Sequence, residues 1–186
     1  MANRIMVILV GLVVTGLILV NSVYTITELE RAVLLRFGEV RNSDIPPGLH
    51  FKVPFVDNVR IFDGRVLTVD APAERFLTLE KKALIVDSFA KFKVQNVAKY
   101  YTATSGDQRR AEELLKERVN NGLRNEISNR TLHEVVSGQR DELMIDLVSK
   151  LNLEADEKLG IHVVDVRVKR IDLPEEVSQS VYARMN

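Results

Sequence analysis

The chain is 186 residues long and carries 26 Lys and Arg against 26 Asp and Glu, so its formal net charge is zero. A nucleic-acid surface shows a basic excess on one face or helix; here the pair Arg109-Arg110 is followed at once by Glu112 and Glu113, which removes that class. No cysteine is present, so there is no thiolate nucleophile, and an oxidising compartment is compatible with the composition.

In chain order, the first element is apolar. Between Arg4 and Glu28 lie 23 residues without a charge, and Ile5 to Val20 are almost all Ile, Val, Leu, Met and Gly. As one helix this run would rise about 34 Å, slightly more than the roughly 30 Å of hydrocarbon in a bilayer. Thr15, Asn21 and Ser22 are its clearly polar residues before Thr25, and Tyr24 suits the interfacial aromatic belt. A signal peptide has a shorter apolar run ending in a small-x-small site, which Val20-Asn21-Ser22 matches poorly. A retained transmembrane anchor over residues 1–27 is the expectation. Arg4 and the terminal amine precede the run, while Glu28 and Glu30 follow it. This bias favours a cytoplasmic N-terminus and a domain on the far side, the periplasm in a Gram-negative cell.

The pattern from Glu30 to about Val94 is β. Glu30 to Val40 reads as a strand stopped at Gly38, and Asp44-Ile45-Pro46-Pro47-Gly48 is a turn signal. Leu49, Phe51, Val53 and Phe55 then alternate with His50, Lys52 and Pro54, the period of a strand with one apolar face. Pro54 cannot donate to a ladder, so an edge strand is expected. Four large apolar side chains on an edge shortly after an anchor make Leu49, Phe51, Val53 and Phe55 candidates for contact with the membrane or a neighbouring subunit. Further strands are expected around Val59 to Asp63, from Arg65 to Ala71, and from Ala83 to Val94. The last would hold Leu84, Val86, Ala90, Phe92 and Val94 on one face.

After Asn96 the period changes to helical. Asp107 is a plausible N-cap for a helix carrying Ala111, Leu114, Leu115, Leu123 and Ile127, interrupted by Gly122. A second helix starts near Ser137, carries Leu143, Leu147, Val148 and Leu151, and ends at Gly160, a suitable residue just past a helix C-terminus. Ile161 to Leu173 reads as a strand with Val164, Val166 and Val168 facing one way. Pro174, Glu175 and Glu176 suit a helix start. Val177, Val181, Tyr182 and Met185 begin an apolar stripe that needs a partner surface, and they are candidates for an oligomerisation helix. The stripe is still running at Asn186.

The search for chemistry returns little. No GxSxG elbow, metal-loop spacing or Gly-rich phosphate loop is present. His50 and His162 alternate with apolar neighbours in strands, and His133-Glu134 lacks the second histidine of a zinc-protease motif, Ser137 standing in its place. Arg109, Arg110 and Lys116 with Glu112, Glu113 and Glu117 make a solvated helix face with weak ion pairs. No catalytic, cofactor-binding or metal-binding residue is expected.

The segments Glu30 to Val40 and Pro46 to Val59 (PPGLHFKVPFVDNV), with Phe62 to Val94 and Val163 to Met185, resemble the SPFH, or band 7, superfamily of stomatin, prohibitin and flotillin, in a bacterial branch. The resemblance covers nearly the whole chain, and PGLHFKVPF and RIDLPEEVSQSVYARM are its specific parts. Many relatives carry an insertion before the last strand, for which Lys150 to Gly160 leaves no room. The resemblance implies an α+β fold: a transmembrane helix, a β-rich SPFH subdomain over 28–95, an α/β subdomain over 96–174, and the start of a long coiled-coil helix over 175–186. It also implies a non-enzymatic subunit without cofactor. Such a subunit pairs with an HflK-like paralogue in a large hetero-oligomeric ring or cage on the outer face of the bacterial inner membrane. That assembly surrounds the ATP-dependent protease FtsH and regulates its access to membrane proteins. A generic membrane-microdomain scaffold is the alternative, and a membrane-bound protease a weaker one, since no nucleophile–base pair is visible.

Overall fold

The apolar N-terminal run does not stay helical to its end. The computed structural model describes residues 2–43, 45–136 and 140–173, without the side chains of 2–5, 8, 10, 14 and 140. Helix α1 runs Ala2–Asn21, and Val23–Ile26 has already become strand β1. The helix therefore rises about 30 Å rather than 34 Å. Over the described residues, no helix is long and apolar enough to cross a membrane. The polar residues of the stretch bond back to the helix itself: Thr15, Asn21 and Ser22 donate to the carbonyls of Gly11, Leu17 and Ile18 at 2.8–2.9 Å. None of the three needs an outside partner.

The chain divides into two compact units, Met1–Arg65 and Val66–Asn186. The change of period suggested instead a boundary near residues 95–105. The long strands at 67–94 share the β signature of the first part, yet they join one sheet with the last strand of the chain, and period alone cannot say which sheet a strand joins.

In the first unit, β1 pairs antiparallel with β4 (Gly48–Phe51), from Val23 opposite Phe51 to Ile26 opposite Gly48. Strand β2 (Glu30–Arg36) lies between β3 (Glu39–Asn42) and β5 (Asp57–Asp63), both antiparallel to it. Ile26, Ala32 and Ile45 form a small core cluster with Tyr24, Leu34 and Val59 against it. The strand expected to continue to Phe55 stops at Phe51. Pro54 has no N–H to offer, and the chain turns instead, with Asp57 N donating to Val53 O at 2.9 Å.

In the second unit, β6 (Leu67–Leu77), β7 (Ala83–Val94) and β8 (Ile161–Asp172) form an antiparallel sheet with β7 in the middle. Leu84, Val86, Ala90, Phe92 and Val94 are buried as their alternation required, with Ser88 on the same face. Helices α2 (Val97–Thr104), α3 (Gln108–Ser128), α4 (Leu132–Val136) and α5 (Arg140–Lys158) connect β7 to β8. Helix α3 packs on β6 and α5 on β8. Ala111, Leu115, Val119, Leu123 and Ile127 recur every four residues and are all buried. Asp107 caps α3 by accepting from Arg109 N at 2.9 Å. A Cβ on Gly122 would sit 2.6 Å from Leu147 Cδ1, so the glycine that interrupts the stripe lets α3 and α5 approach.

One strand face was misread. Val164 is 45% exposed, while Val163 and Val166 are fully buried. Lys91 opposes Asp165 and Phe92 opposes Val163, so Val164 is the extra residue of a β-bulge, and the side-chain phase flips across it. Helix α2 was not anticipated; Asn96 caps it by accepting from Lys99 N, and Val97, Tyr100 and Thr104 are its buried residues. Ser137, the expected start of the second helix, and the stripe Val177, Val181, Tyr182 and Met185 lie outside the described residues.

Gly160 has φ +64, and a Cβ there would stand 2.3 Å from Asn96 O. Its own carbonyl accepts from Gln95 N and Asn96 N, both at 3.0 Å. Gly160→Ala should therefore destabilise the protein by more than about 1 kcal/mol, read as a lower urea midpoint with unchanged slope.

Candidate membrane or subunit contact surface

A single residue, Ser22, separates α1 from β1, and its carbonyl accepts from Lys52 N at 2.8 Å. The β1–β4 ribbon is thereby tied to the end of the apolar helix. On it Leu49 is 62% exposed and Phe51 74%; beyond it Val53 is 50% and Phe55 98% exposed. The described residues leave all four side chains at least half exposed. His50 points elsewhere, its ring 5.6 Å from that of Tyr24 and its Nε2 2.7 Å from Pro46 O.

Sequence reasoning missed a further aromatic residue, Phe37. It occupies the two-residue turn between β2 and β3 and is 83% exposed. Its N–H donates to Val56 O at 3.4 Å, which ties the Phe37 turn to the Phe55 loop. Both phenylalanines have positive φ, 51° and 68°, an uncommon conformation for bulky residues. The signal available was Phe-Gly between two strands, which marks a turn but not the exposure of its side chain.

The carboxylate that holds this loop was also missed. Arg36 donates through Nε to Asp57 Oδ1 at 2.7 Å and through Nη2 to Oδ2 at 3.0 Å. Val53 N donates to the same Oδ2 at 3.0 Å. Arg36 and Asp57 are direct partners in the β2–β5 register, which brings together residues distant in sequence. These donors, the Arg36 guanidinium first and the Val53 amide second, lower the Asp57 carboxyl from its ordinary 3.8 to about 2 against the opposing effect of desolvation.

Among the described residues, the remaining polar side chains form separate pairs or small groups. His133 is exposed on α4, and His162 Nδ1 lies 3.3 Å from Asp156 Oδ2. Glu74 accepts from Asn120 at 2.6 Å and Arg124 at 3.0 Å, joining β6 to α3, and Glu126 with Lys150 joins α3 to α5. Among the described residues, no group of three or more His, Asp or Glu side chains could hold a metal ion.

The signature of the SPFH domain / Band 7 family matches residues 24–186, and the chain belongs to that family. Among its relatives, Protein HflC of Haemophilus influenzae is 45% identical over 181 residues, covering 92% of this chain and 61% of that protein. Protein HflC of Buchnera aphidicola from Acyrthosiphon pisum is 42% identical, covering 91% of this chain and 61% of its own length. The protein named Modulator of FtsH protease HflC in Escherichia coli K12 is 37% identical over 219 residues, covering 94% and 66%. The chain thus spans about three fifths to two thirds of the length of these relatives.

A depressed carboxylate pKa stabilises the fold above the unfolded value, and that stabilisation is lost as pH falls through the folded value. For Asp57 the window runs from about 3.8 down to about 2. Asp57→Asn should lower the melting temperature at pH 6, and the gap to wild type should close progressively between pH 4 and pH 2. A gap of constant size would mean that the charge contributes nothing.

Proposed function

We propose that this chain is a membrane-anchored, non-enzymatic scaffold subunit. It assembles with an HflK-like paralogue into a ring or cage around FtsH and regulates proteolysis of membrane proteins. The observation that carries this reading is the exposed run Leu49, Phe51, Val53 and Phe55 on a ribbon fastened directly to the end of α1. Leaving such side chains in water forgoes at most roughly 1.5–3 kcal/mol each, about half of it for Val53, so a lipid or protein surface is their natural cover. The FtsH partnership is supported by the name of the Escherichia coli relative and by the extent of the shared sequence.

In this reading the apolar run of the sequence, including positions 2–5, 8, 10 and 14 whose side chains lie outside the described residues, lets α1 cross the inner membrane with Arg4 on the cytoplasmic side and the SPFH domain in the periplasm. The internal hydrogen bonds of Thr15, Asn21 and Ser22 lower the cost of placing those residues in or near lipid. In the same reading the segment 175–186, which lies outside the described residues, would open an oligomerisation helix, with Val177, Val181, Tyr182 and Met185 as its candidate contact residues. Capture of FtsH and an HflK-like protein with the detergent-solubilised chain supports this function; capture of neither, with the chain still in membranes, favours a generic microdomain scaffold.

Alkaline phosphatase fused after Asn186 should be active, and a reporter that needs the cytoplasm should be silent; the reverse pattern overturns the orientation. Phe51→Asp should keep a cooperative circular dichroism melt while weakening membrane contact or assembly. If the melting transition disappears, Phe51 belongs to the core of the folded protein instead.

A further inference from the structure

Beside the exposed apolar run, within the first unit, lies a groove of about 370 Å³. Phe51 and Val53 form part of its wall, and Arg36, Arg41, Lys52 and Asp57 supply its charges. Three cations face one carboxylate, but that carboxylate is already engaged. Both Asp57 oxygens accept from Arg36, and one also accepts from Val53 N. Arg36 and Asp57 therefore cancel as an ion pair; Arg41 acts on Asp57 only through space, the last of the influences on that carboxyl, and together with Lys52 it leaves the groove net positive. Among the described residues, no carboxylate lies within ion-pair distance of either.

Arg41 reaches this position through a defect in the ladder. Leu34 opposes Asn42, while Leu35 opposes Val40, so Arg41 is the extra residue of a β-bulge, a device that re-aims a side chain. Lys52 reaches it through the junction with α1, since its N–H is the group bonded to Ser22 O. Two cations and two apolar side chains thus meet one hydrogen bond away from the end of a 20-residue apolar helix.

We propose that this groove binds the phosphate headgroup of an anionic phospholipid, with Arg41 and Lys52 on the phosphate and Phe51 and Val53 along the adjoining acyl chains. Charge complementarity selects an anion, and the apolar wall at the helix end selects one attached to a lipid rather than free in solution. The assignment rests on the reading of α1 as a membrane anchor. It adds a lipid preference to what would otherwise be indifferent insertion.

Native mass spectrometry of the detergent-solubilised chain, offered phosphatidylglycerol and phosphatidylcholine at equal concentration, tests this. A cation near a membrane surface contributes about 1 kcal/mol toward an anionic lipid. Arg41→Gln and Lys52→Gln should thus each reduce the preference for phosphatidylglycerol about fivefold. Arg60→Gln, an exposed residue on β5 outside the groove, should leave it unchanged, and all three variants should melt as wild type. Equal retention of the two lipids, or an equal loss from Arg60→Gln, overturns the site. Displacement of phosphatidylglycerol by millimolar glycerol phosphate would overturn the lipid assignment in favour of a soluble anion. Flotation of the wild-type chain with phosphatidylcholine vesicles checks the anchor separately: if it floats, a missing lipid preference condemns the groove alone, and if it does not, the anchor reading itself fails.

Discussion

Only Ser22 stands between the last residue of α1 and the first of β1, and its carbonyl is bonded across the ribbon to Lys52 N. A flexible linker would let the β1–β4 ribbon drift away from the helix; a one-residue junction closed by a backbone hydrogen bond does not. The placement of the exposed apolar run follows from this. Register places Phe51 opposite Val23, so the first residues of the ribbon carry their side chains directly beyond the helix. Pro54 then ends the pairing, and the Asp57 carboxylate holds the following turn by bonding Val53 N and Arg36 together. Polar interactions thus hold an apolar surface in a fixed shape.

The second unit relies on a different constraint, the packing of two helices on a three-stranded sheet. The regular four-residue apolar stripe lies on α3, which packs on β6 with Asn120 and Glu126 buried at its flanks, and Ser88 is the one polar residue on the buried face of β7. Gly122 sets the spacing between α3 and α5, where any side chain would collide with Leu147. Gly160 lets the chain leave α5 and enter β8 while its carbonyl serves Gln95 and Asn96. No catalytic geometry is needed to explain why these residues are present; packing and chain reversal account for them.

Much of this was legible in the sequence because the signals were local. The alternation along 83–94, the stripe of α3 and the Asp107 cap each depend on residues within a turn or two of one another. The errors arose where one residue changes the phase. Val164 was assigned to the buried face because strict alternation has no way to mark a bulge, and α2 was overlooked because VAKYYTAT is rich in aromatic and β-branched residues. The pairing of Arg36 with Asp57 depends on the register of two strands, which local pattern does not fix. The exposed run at 49–55 was identified from its alternation and position, but its exposure comes from a strand that stops early rather than from a long edge strand. Phe37, its neighbour through the Val56 carbonyl, was visible only as a turn residue.

On the side away from β7, the twelve-residue strand β8 neighbours no other strand among the described elements, and there the Asn152 side chain covers Val163, donating to its carbonyl at 2.9 Å and accepting from its N–H at 2.7 Å. An edge of that length is a template on which another chain could add a strand without limit. The two extra residues of β8, Val164 and Lys169, interrupt its ladder with β7 at separate points, and Arg167, Lys169 and Arg170 add charge along it. Both features work against a second copy laying a flat strand alongside. If copies of the chain met at high local concentration, the bulge at Val164 would work against open-ended sheet growth and favour side-chain contacts, which can be finite and specific.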